Sequence, residues 1–274
     1  MSDSIKERAY AKLNLALSVT GRTGSYHTIE TLFQSIDLYD TVTLSKRDDK
    51  QITSDFEGDN SLVVLSVLQK AFGLGGMHLS TEKHIPLAGG LGGSSADSAA
   101  AALACARLYG LSLQEVFNCV KDLFGDIAFQ MTMGTAVGRG IGSDLTPLAP
   151  LPTYYVLLAF PKTGVSTKEA YALCDRTPHL NADLTALYEA LMRGEKAQGH
   201  YVNDLLTPAL ELNDEIAPLL REMEDDISLL TGMSGSGSTL FSLYKTEDAA
   251  RAKAATLSVP TLVTATINPD ADGK

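Results

Sequence analysis

The sequence predicts an α+β protein built as two domains. Three observations carry this. Alternating, strand-like stretches come before a run of helices. Prolines at Pro147, Pro150 and Pro152 make the clearest composition break. The chain beyond those prolines reads as a mixed βαββαβ half. The domains are therefore expected at 1–150 and 151–274. A chain of 274 residues has ample length for such cores, and 45% apolar with 20% charged residues is ordinary for a globular protein.

Residues 8–20 alternate. Leu13, Leu15, Leu17 and Val19 form one face and Lys12, Asn14 and Ser18 the other, which predicts a half-buried strand. Gly21–Gly24 reads as a turn, Ser25–Asp40 as a second strand, Thr41–Ser45 as a third and Gln51–Phe56 as a short edge strand. Gly58–Asn60 reads as a turn before a helix over Ser61–Phe72, ended by Gly73, and Met77–Lys83 as a strand. A helix from Ser95 to about Tyr109 stops at Gly110. Ser112-Leu-Gln-Glu115 is a capping box for a helix ending near Phe124, followed by a helical turn at Asp126–Met131 and a hairpin-like Gly134–Gly142. Beyond the prolines come a strand at Tyr154–Phe160 and helices at Thr167–Cys174, Asn181–Arg193 and Asn203–Met223, the last broken at Pro208 and Pro218. Strands at Ile227–Thr231, Leu240–Tyr244 and Thr261–Ile267, with a helix at Glu247–Ala255, complete the chain.

The chemistry concentrates at Pro86-Leu-Ala-Gly-Gly-Leu-Gly-Gly-Ser-Ser-Ala96. Four glycines (Gly89, Gly90, Gly92, Gly93) allow positive φ and close approach of a ligand to the backbone. The alanine-rich run after them is a strong helix former. Such a loop feeding a helix N-terminus cradles phosphate on unpaired N–H groups. Ser94 and Ser95 would cap that helix, bind phosphate or hold Mg²⁺. The plainer alternative is a flexible loop before a capped helix. A P-loop is excluded because no lysine follows the glycines, and a dinucleotide fingerprint because the third glycine position is a serine far from the N-terminus. A second loop, Gly232-Met-Ser-Gly-Ser-Gly237, repeats the same chemistry, and both loops are expected to face one cleft.

A net charge of −11 argues against nucleic-acid binding, so an anionic substrate must be drawn by local charges and dipoles. No apolar run approaches membrane-span length, and the polar N-terminus reads as lacking a signal peptide. Cys105, Cys119 and Cys174, unpaired in number, fit reduced thiols and a cytoplasmic location. The five histidines show no metal-ligand spacing, and Gly235-Ser-Gly lacks the context of a hydrolase elbow. Asp126 lies in an apolar stretch, where a carboxylate needs a partner or a function, and Lys12 would supply the partner. Lys12 and Asn14 fit a solvated strand face as well as a site. Tyr26-His27 fits a surface pair as well as a pair that stacks on a planar ligand.

Several motifs together resemble the GHMP small-molecule kinases. Pro86–Ala96 is similar to their Pro-x-x-x-Gly-Leu-x-x-Ser-Ser-Ala loop, Gly232–Gly237 to their C-terminal glycine motif, and Ala11-Lys-Leu-Asn-Leu15 to their N-terminal strand motif. Gly24–Asp40, Gly142–Pro147 and Phe160–Tyr171 resemble the member whose alcohol substrate carries a cytidine diphosphate. The resemblance implies the two-domain GHMP kinase fold, with an N-terminal half like domain 2 of ribosomal protein S5 and a ferredoxin-like C-terminal half. It implies ATP as co-substrate with Mg²⁺, a small-molecule alcohol acceptor, and a monomer or weak homodimer. It assigns Asp126 as proton acceptor and Lys12 as the residue orienting it. Asn14, Tyr26, His27, Tyr171, Gly235, Ser236 and Gly237 would bind substrate, with Tyr26 and His27 on cytosine and Tyr171 as a second stacking wall. Pro86, Gly89, Gly90, Leu91, Gly92, Gly93, Ser94 and Ser95 would hold ATP, with Ser95 near Mg²⁺ and Asn60 and Lys83 at the adenine. The chain departs from the family around the aspartate, where Phe124 replaces a glycine and Ala128 a proline. Another GHMP kinase, or a catalytically weakened nucleotide-binding relative, remain the alternatives.

Overall fold

A computed structural model describes residues 3–56 and 59–268. The chain opens with two long antiparallel strands, β1 (Ser4–Thr23) and β2 (Tyr26–Arg47). The turn between them is confined to Gly24-Ser25. Gly21, Arg22 and Thr23 continue the ladder opposite Thr28, His27 and Tyr26, which corrects the four-residue turn expected at Gly21–Gly24. β2 is one strand, not two. Asp40, at the expected break, is fully buried and accepts the backbone N–H groups of His84 and Ile85, so its charge stays within the ladder.

Next come β3 (Ile52–Ser54), α1 (Ser61–Phe72), β4 (Gly76–Glu82), α2 (Gly93–Tyr109), α3 (Leu113–Val120), α4 (Ile127–Thr132), β5 (Thr135–Gly140) and β6 (Asp144–Pro147). The turn expected at Gly58–Asn60 lies partly outside the described residues. The strands form one six-stranded sheet in the order β3-β4-β2-β5-β6, with β1 also on β2. β5 and β6 are the hairpin expected around Gly134–Gly142. α2 packs on β1, α1 and α4. Its alanines 96, 99–102, 104 and 106 are buried nearly all round, because small side chains let neighbouring backbones approach from every direction. Gly110, in the left-handed region at φ +66°, ends it.

The second half runs β7 (Tyr155–Ala159), α5 (Thr167–Cys174), α6 (Leu184–Met192), α7 (Leu206–Leu212), α8 (Ile216–Met223), β8 (Leu230–Met233), β9 (Leu240–Tyr244), α9 (Glu247–Ala254) and β10 (Thr261–Ala265). Its sheet, in the order β10-β7-β9-β8, is antiparallel throughout, the ferredoxin-like arrangement with extra helices in the first crossover. Pro208 and Pro218 do not break a helix. Each sits in the first turn of its own helix, where the missing N–H needs no partner, and the break falls at Asn213.

The halves are stitched together. Leu17 bridges Asn203, Ile36 bridges Thr266, and Leu17 N–H donates to Val202 O at 2.8 Å. Leu17 and Val19 of β1 pack in the second half's core, and Val156 and Leu158 of β7 join the first half's. β1 is therefore shared, and residues on it face elements of both halves. The three cysteines are free, and burial pushes the Cys105 thiol up to about 12, which leaves it unreactive. No helix among the described residues is long and apolar enough to cross a membrane.

Candidate active site

A cavity of about 300 Å³ opens between the halves, lined by Lys12, Asn14, the loop Pro86–Gly92, Gly93, Ser94, Ser95, Asp126, Thr167, Tyr171, Gly235 and Ser236. The first glycine loop leaves β4 and enters α2 at Gly92, which has φ +72°. A side chain there would lie 2.8 Å from Gln130 Nε2 and 3.0 Å from Lys12 Cε. The two glycine loops touch: Ser234 Oγ donates to Gly90 O at 2.9 Å, and Thr239 N–H to Gly89 O at 3.2 Å. Both loops face one cleft, as expected. The second loop is held from behind by Asn203, whose Nδ2 donates to Met233 O and Gly235 O, each at 2.9 Å. Gly237 lies under Gly90, away from the cavity lining. The N–H groups in the first turn of α2 have no partner within the helix, and they edge the cavity.

Lys12 does not lie on a solvated face. It is 4% exposed, with its backbone N–H on Leu91 O at 3.0 Å. Its ammonium donates to Asn14 Oδ1 and to Gly90 O at 3.2 Å, and stands 3.3 Å from Asp126 Oδ2. Asn14 is fixed in turn by Thr31 Oγ1 at 2.8 Å. One cation thus ties β1, the first glycine loop and the acidic residue. Asp126 immediately precedes α4 and its carboxylate caps nothing there, so it is free to face the cavity.

The departures beside Asp126 leave its backbone intact. Phe124 packs half-buried against the core. Ala128 takes the second position of α4, where a proline or a good helix former is tolerated alike. Gly125 is the constrained position, since a Cβ there would fall 2.4 Å from Ile141 O.

Of the aromatic residues, Tyr171 lines the cavity and His27 stacks on it, with ring centroids 4.5 Å apart and planes 22° apart. The rings face one another with no gap for a base between them. Tyr26 is 64% exposed and makes no ring contact among the described residues. Burial, with the Asp126 carboxylate adding to it, raises the Tyr171 hydroxyl above the ordinary tyrosine range and keeps it protonated. Thr167 Oγ1 and Ser236 Oγ meet at 2.9 Å and close the cavity's far wall.

Asn60 lies outside the cavity lining and donates to Ser94 Oγ at 2.9 Å. Lys83 lines the cavity, but its ammonium is committed to Asp40 and, at 2.6 Å, to Asp97 in α2. One ammonium between two buried carboxylates leaves surplus negative charge. Asp97 carries the surplus, with Oδ1 unpartnered, and burial pushes its carboxyl up to about 7 against the pull of Lys83. The folded state therefore keeps a proton that an unfolded aspartate, with its ordinary value of 3.8, has released. Stability is expected to fall as pH rises from about 4 to about 7. Asp97→Asn is expected to flatten that slope, measured as urea midpoints at pH 5 and pH 8. An unchanged slope would place the proton elsewhere.

The residues that sequence reasoning missed are Asp40, Asp97, Thr167, Asn203 and the pair Arg22 and Asp175. Only Asp97 carried a local signal, a lone carboxylate at the head of an alanine run.

Asp126 brings the one carboxylate among the residues lining the cavity, beside the neutral hydroxyls of Ser94, Ser95, Thr167, Tyr171 and Ser236. No cluster of three or more His, Cys, Asp or Glu side chains that could hold a metal occurs among the described residues. So sparse a donor set suits a Mg²⁺ carried on a nucleotide, which keeps phosphate oxygens and waters as most of its ligands.

Comparison with known proteins agrees with this geometry. The family described as GHMP kinases N terminal domain matches residues 60–143, and GHMP kinases C terminal matches residues 182–258. The 4-diphosphocytidyl-2-C-methyl-D-erythritol kinase of Desulfitobacterium hafniense (strain Y51) is 36% identical over 90% of this chain and 89% of its own. That of Moorella thermoacetica (strain ATCC 39073 / JCM 9320) is 34% identical over 94% of this chain and 98% of its own. A solved structure of 4-(cytidine 5'-diphospho)-2C-methyl-D-erythritol kinase, 30% identical, superposes with a TM-score of 0.83 over 96% of this chain and 100% of that one. Homoserine kinase from Cytophaga hutchinsonii, 19% identical with a TM-score of 0.70, shares the fold. With both family halves matched around a cleft of this construction, the chain belongs to the GHMP kinases, within their 4-diphosphocytidyl-2-C-methyl-D-erythritol kinase family.

Proposed function

We propose that this chain transfers the γ-phosphate of ATP to the 2-hydroxyl of 4-diphosphocytidyl-2-C-methyl-D-erythritol, a step in non-mevalonate isoprenoid precursor synthesis. The observation that carries it is the Lys12–Asp126 pair at 3.3 Å, placed in the cavity beside the glycine loop and the N-terminus of α2. Asp126 accepts the proton of the acceptor hydroxyl as its oxygen bonds to the γ-phosphorus and the bond to the β–γ bridging oxygen breaks, releasing ADP. Lys12, already bonded to Gly90 O and Asn14, holds Asp126 and offsets charge developing on the transferred group. The N–H groups at Gly93, Ser94 and Ser95 receive phosphate oxygens. Ser95 would be this chain's ligand to a nucleotide-borne Mg²⁺, which would neutralise phosphate charge. His27 and Tyr171 are the residues for the cytosine, and Tyr26 joins them from the exposed strand start.

The test is ADP release from Mg-ATP by the purified protein, with 4-diphosphocytidyl-methylerythritol compared against mevalonate, phosphomevalonate and homoserine. Turnover with the cytidyl substrate alone is the expected outcome. Turnover with one of the others instead would keep the phosphate loops and discard the cytosine role of His27 and Tyr171.

A further inference from the structure

The carboxylate of Asp40 is fully buried in β2, at the point where that strand parts from β4. Their ladder ends at Thr41 and Glu82, and beyond it the chain turns toward the first glycine loop. There the Asp40 side chain takes over from the ladder. Its Oδ1 accepts the backbone N–H groups of His84 and, at 2.7 Å, of Ile85, and its Oδ2 accepts from the Lys83 ammonium. Lys83 also donates to Asp97 Oδ2 at 2.6 Å. Asp97 lies one turn into α2, beyond the glycine loop in the chain. The two ends of the loop, residues 83–85 leading in and α2 leading out, are thus joined at its base. A Cβ on Gly93, the first residue of α2, would lie 3.1 Å from Ile85 Cγ2 and 3.8 Å from Lys83 Nζ, so entry and exit are in contact. Neither Asp40 nor Asp97 lines the cavity. The desolvation of a buried ion pair offsets most of its Coulomb gain, and apolar side chains of similar volume commonly hold a fold as well. What this trio adds is a set spacing between the entry and the exit of the loop.

We infer that Asp40, Lys83 and Asp97 are positioning residues that buckle the two ends of the glycine loop together, and so fix the span over which the loop and the first turn of α2 receive the phosphates of ATP. This rests on the reading of that loop as the phosphate site of ATP, and it assigns the Lys83 ammonium to the loop in place of the adenine. The two roles have opposite consequences. A lysine that served the nucleotide directly would be freed for it by cutting its bond to Asp97. Charge points the same way, since removing a carboxylate one turn from a phosphate site favours an anion there. Both effects would tighten binding. A loop whose ends have parted binds phosphate more weakly, because its N–H donors then miss the oxygens. Alanine suits the interior of α2, so Asp97→Ala keeps the helix.

Calorimetry on the full-length protein tests this with MgATP, magnesium tripolyphosphate and adenosine. Asp97→Ala is expected to weaken MgATP and tripolyphosphate binding by about tenfold, the worth of one charge-assisted hydrogen bond to phosphate, while adenosine binds as it does to wild type. Asp97→Asn, which keeps an oxygen for Lys83 to bond, is expected to restore most of that affinity. Asp97→Ser, too short to reach Lys83, is expected to match the alanine variant and replaces it where alanine fails to fold. Unchanged or tighter tripolyphosphate binding in Asp97→Ala overturns the inference alone. So does an equal loss of adenosine binding, which would return Lys83 to the base. A wild-type protein that binds adenosine but neither tripolyphosphate nor MgATP overturns the phosphate reading of the loop, and the buckle with it.

Discussion

Asp126→Asn is expected to lower kcat by about 10²- to 10⁴-fold, the usual worth of a positioned proton acceptor, with the KM values for ATP and acceptor nearly unchanged. The asparagine keeps the shape and a hydrogen bond but cannot take the hydroxyl proton. Asp126 contributes no cap to α4 and is about a quarter exposed, so folding is expected to survive. Lys12→Ala is expected to be as damaging, because it removes the cation shared by Asp126, Asn14 and Gly90 O. The double variant is expected to lose little beyond either single one, since the two side chains act as one unit. Steady-state ADP release on all three variants checks this. Wild-type turnover in Asp126→Asn would end the proton-acceptor assignment without touching the fold or the phosphate loops.

Gly90→Ala is expected to abolish ATP binding and to destabilise the protein. Gly90 adopts φ +74°, which costs a side-chain-bearing residue about 1–2 kcal/mol. Its Cβ would fall 2.1 Å from Ser234 O, and backbone on both sides would have to move. Overpacking of this kind costs about 1–3 kcal/mol. Together these correspond to a Tm lower by roughly 5–10 °C for a chain of this size. The shift also parts the two glycine loops and pulls Gly90 O away from Lys12 and Ser234. Calorimetric ATP binding and a thermal melt read the two effects separately. Normal ATP affinity in Gly90→Ala would show that apposition of the loops is dispensable.

These predictions draw unequally on sequence and on fold. The boundaries of α1, α5 and β9 were legible from local pattern, because apolar spacing, Gly73 as stop and a hydroxyl cap at Thr167 or Ser166, which the fold gives to Ser166, act within a few residues. Pro208 and Pro218 misled because proline ends a helix or begins one according to its place in the turn, and only the neighbouring backbone shows which. The turn at Gly21–Gly24 misled for a similar reason, since Gly21 stays in the ladder once the partner strand reaches Thr28.

The sequence by itself determined the fold class and the two glycine loops, and it marked Asp126 as a carboxylate in need of a partner or a function. Glycine spacing, an alanine run and a carboxylate among apolar residues are signals written within a dozen positions. Tertiary structure alone decided that Lys12 is buried and shared between Asn14, Gly90 and Asp126. It alone set Lys83 between Asp40 and Asp97, and brought Asp175 to His27 across 148 residues. The physical reason is the same in each case. An ion pair or hydrogen bond acts over about 3 Å, and residues remote in the chain come that close only once the strands, helices and loops that carry them have packed together.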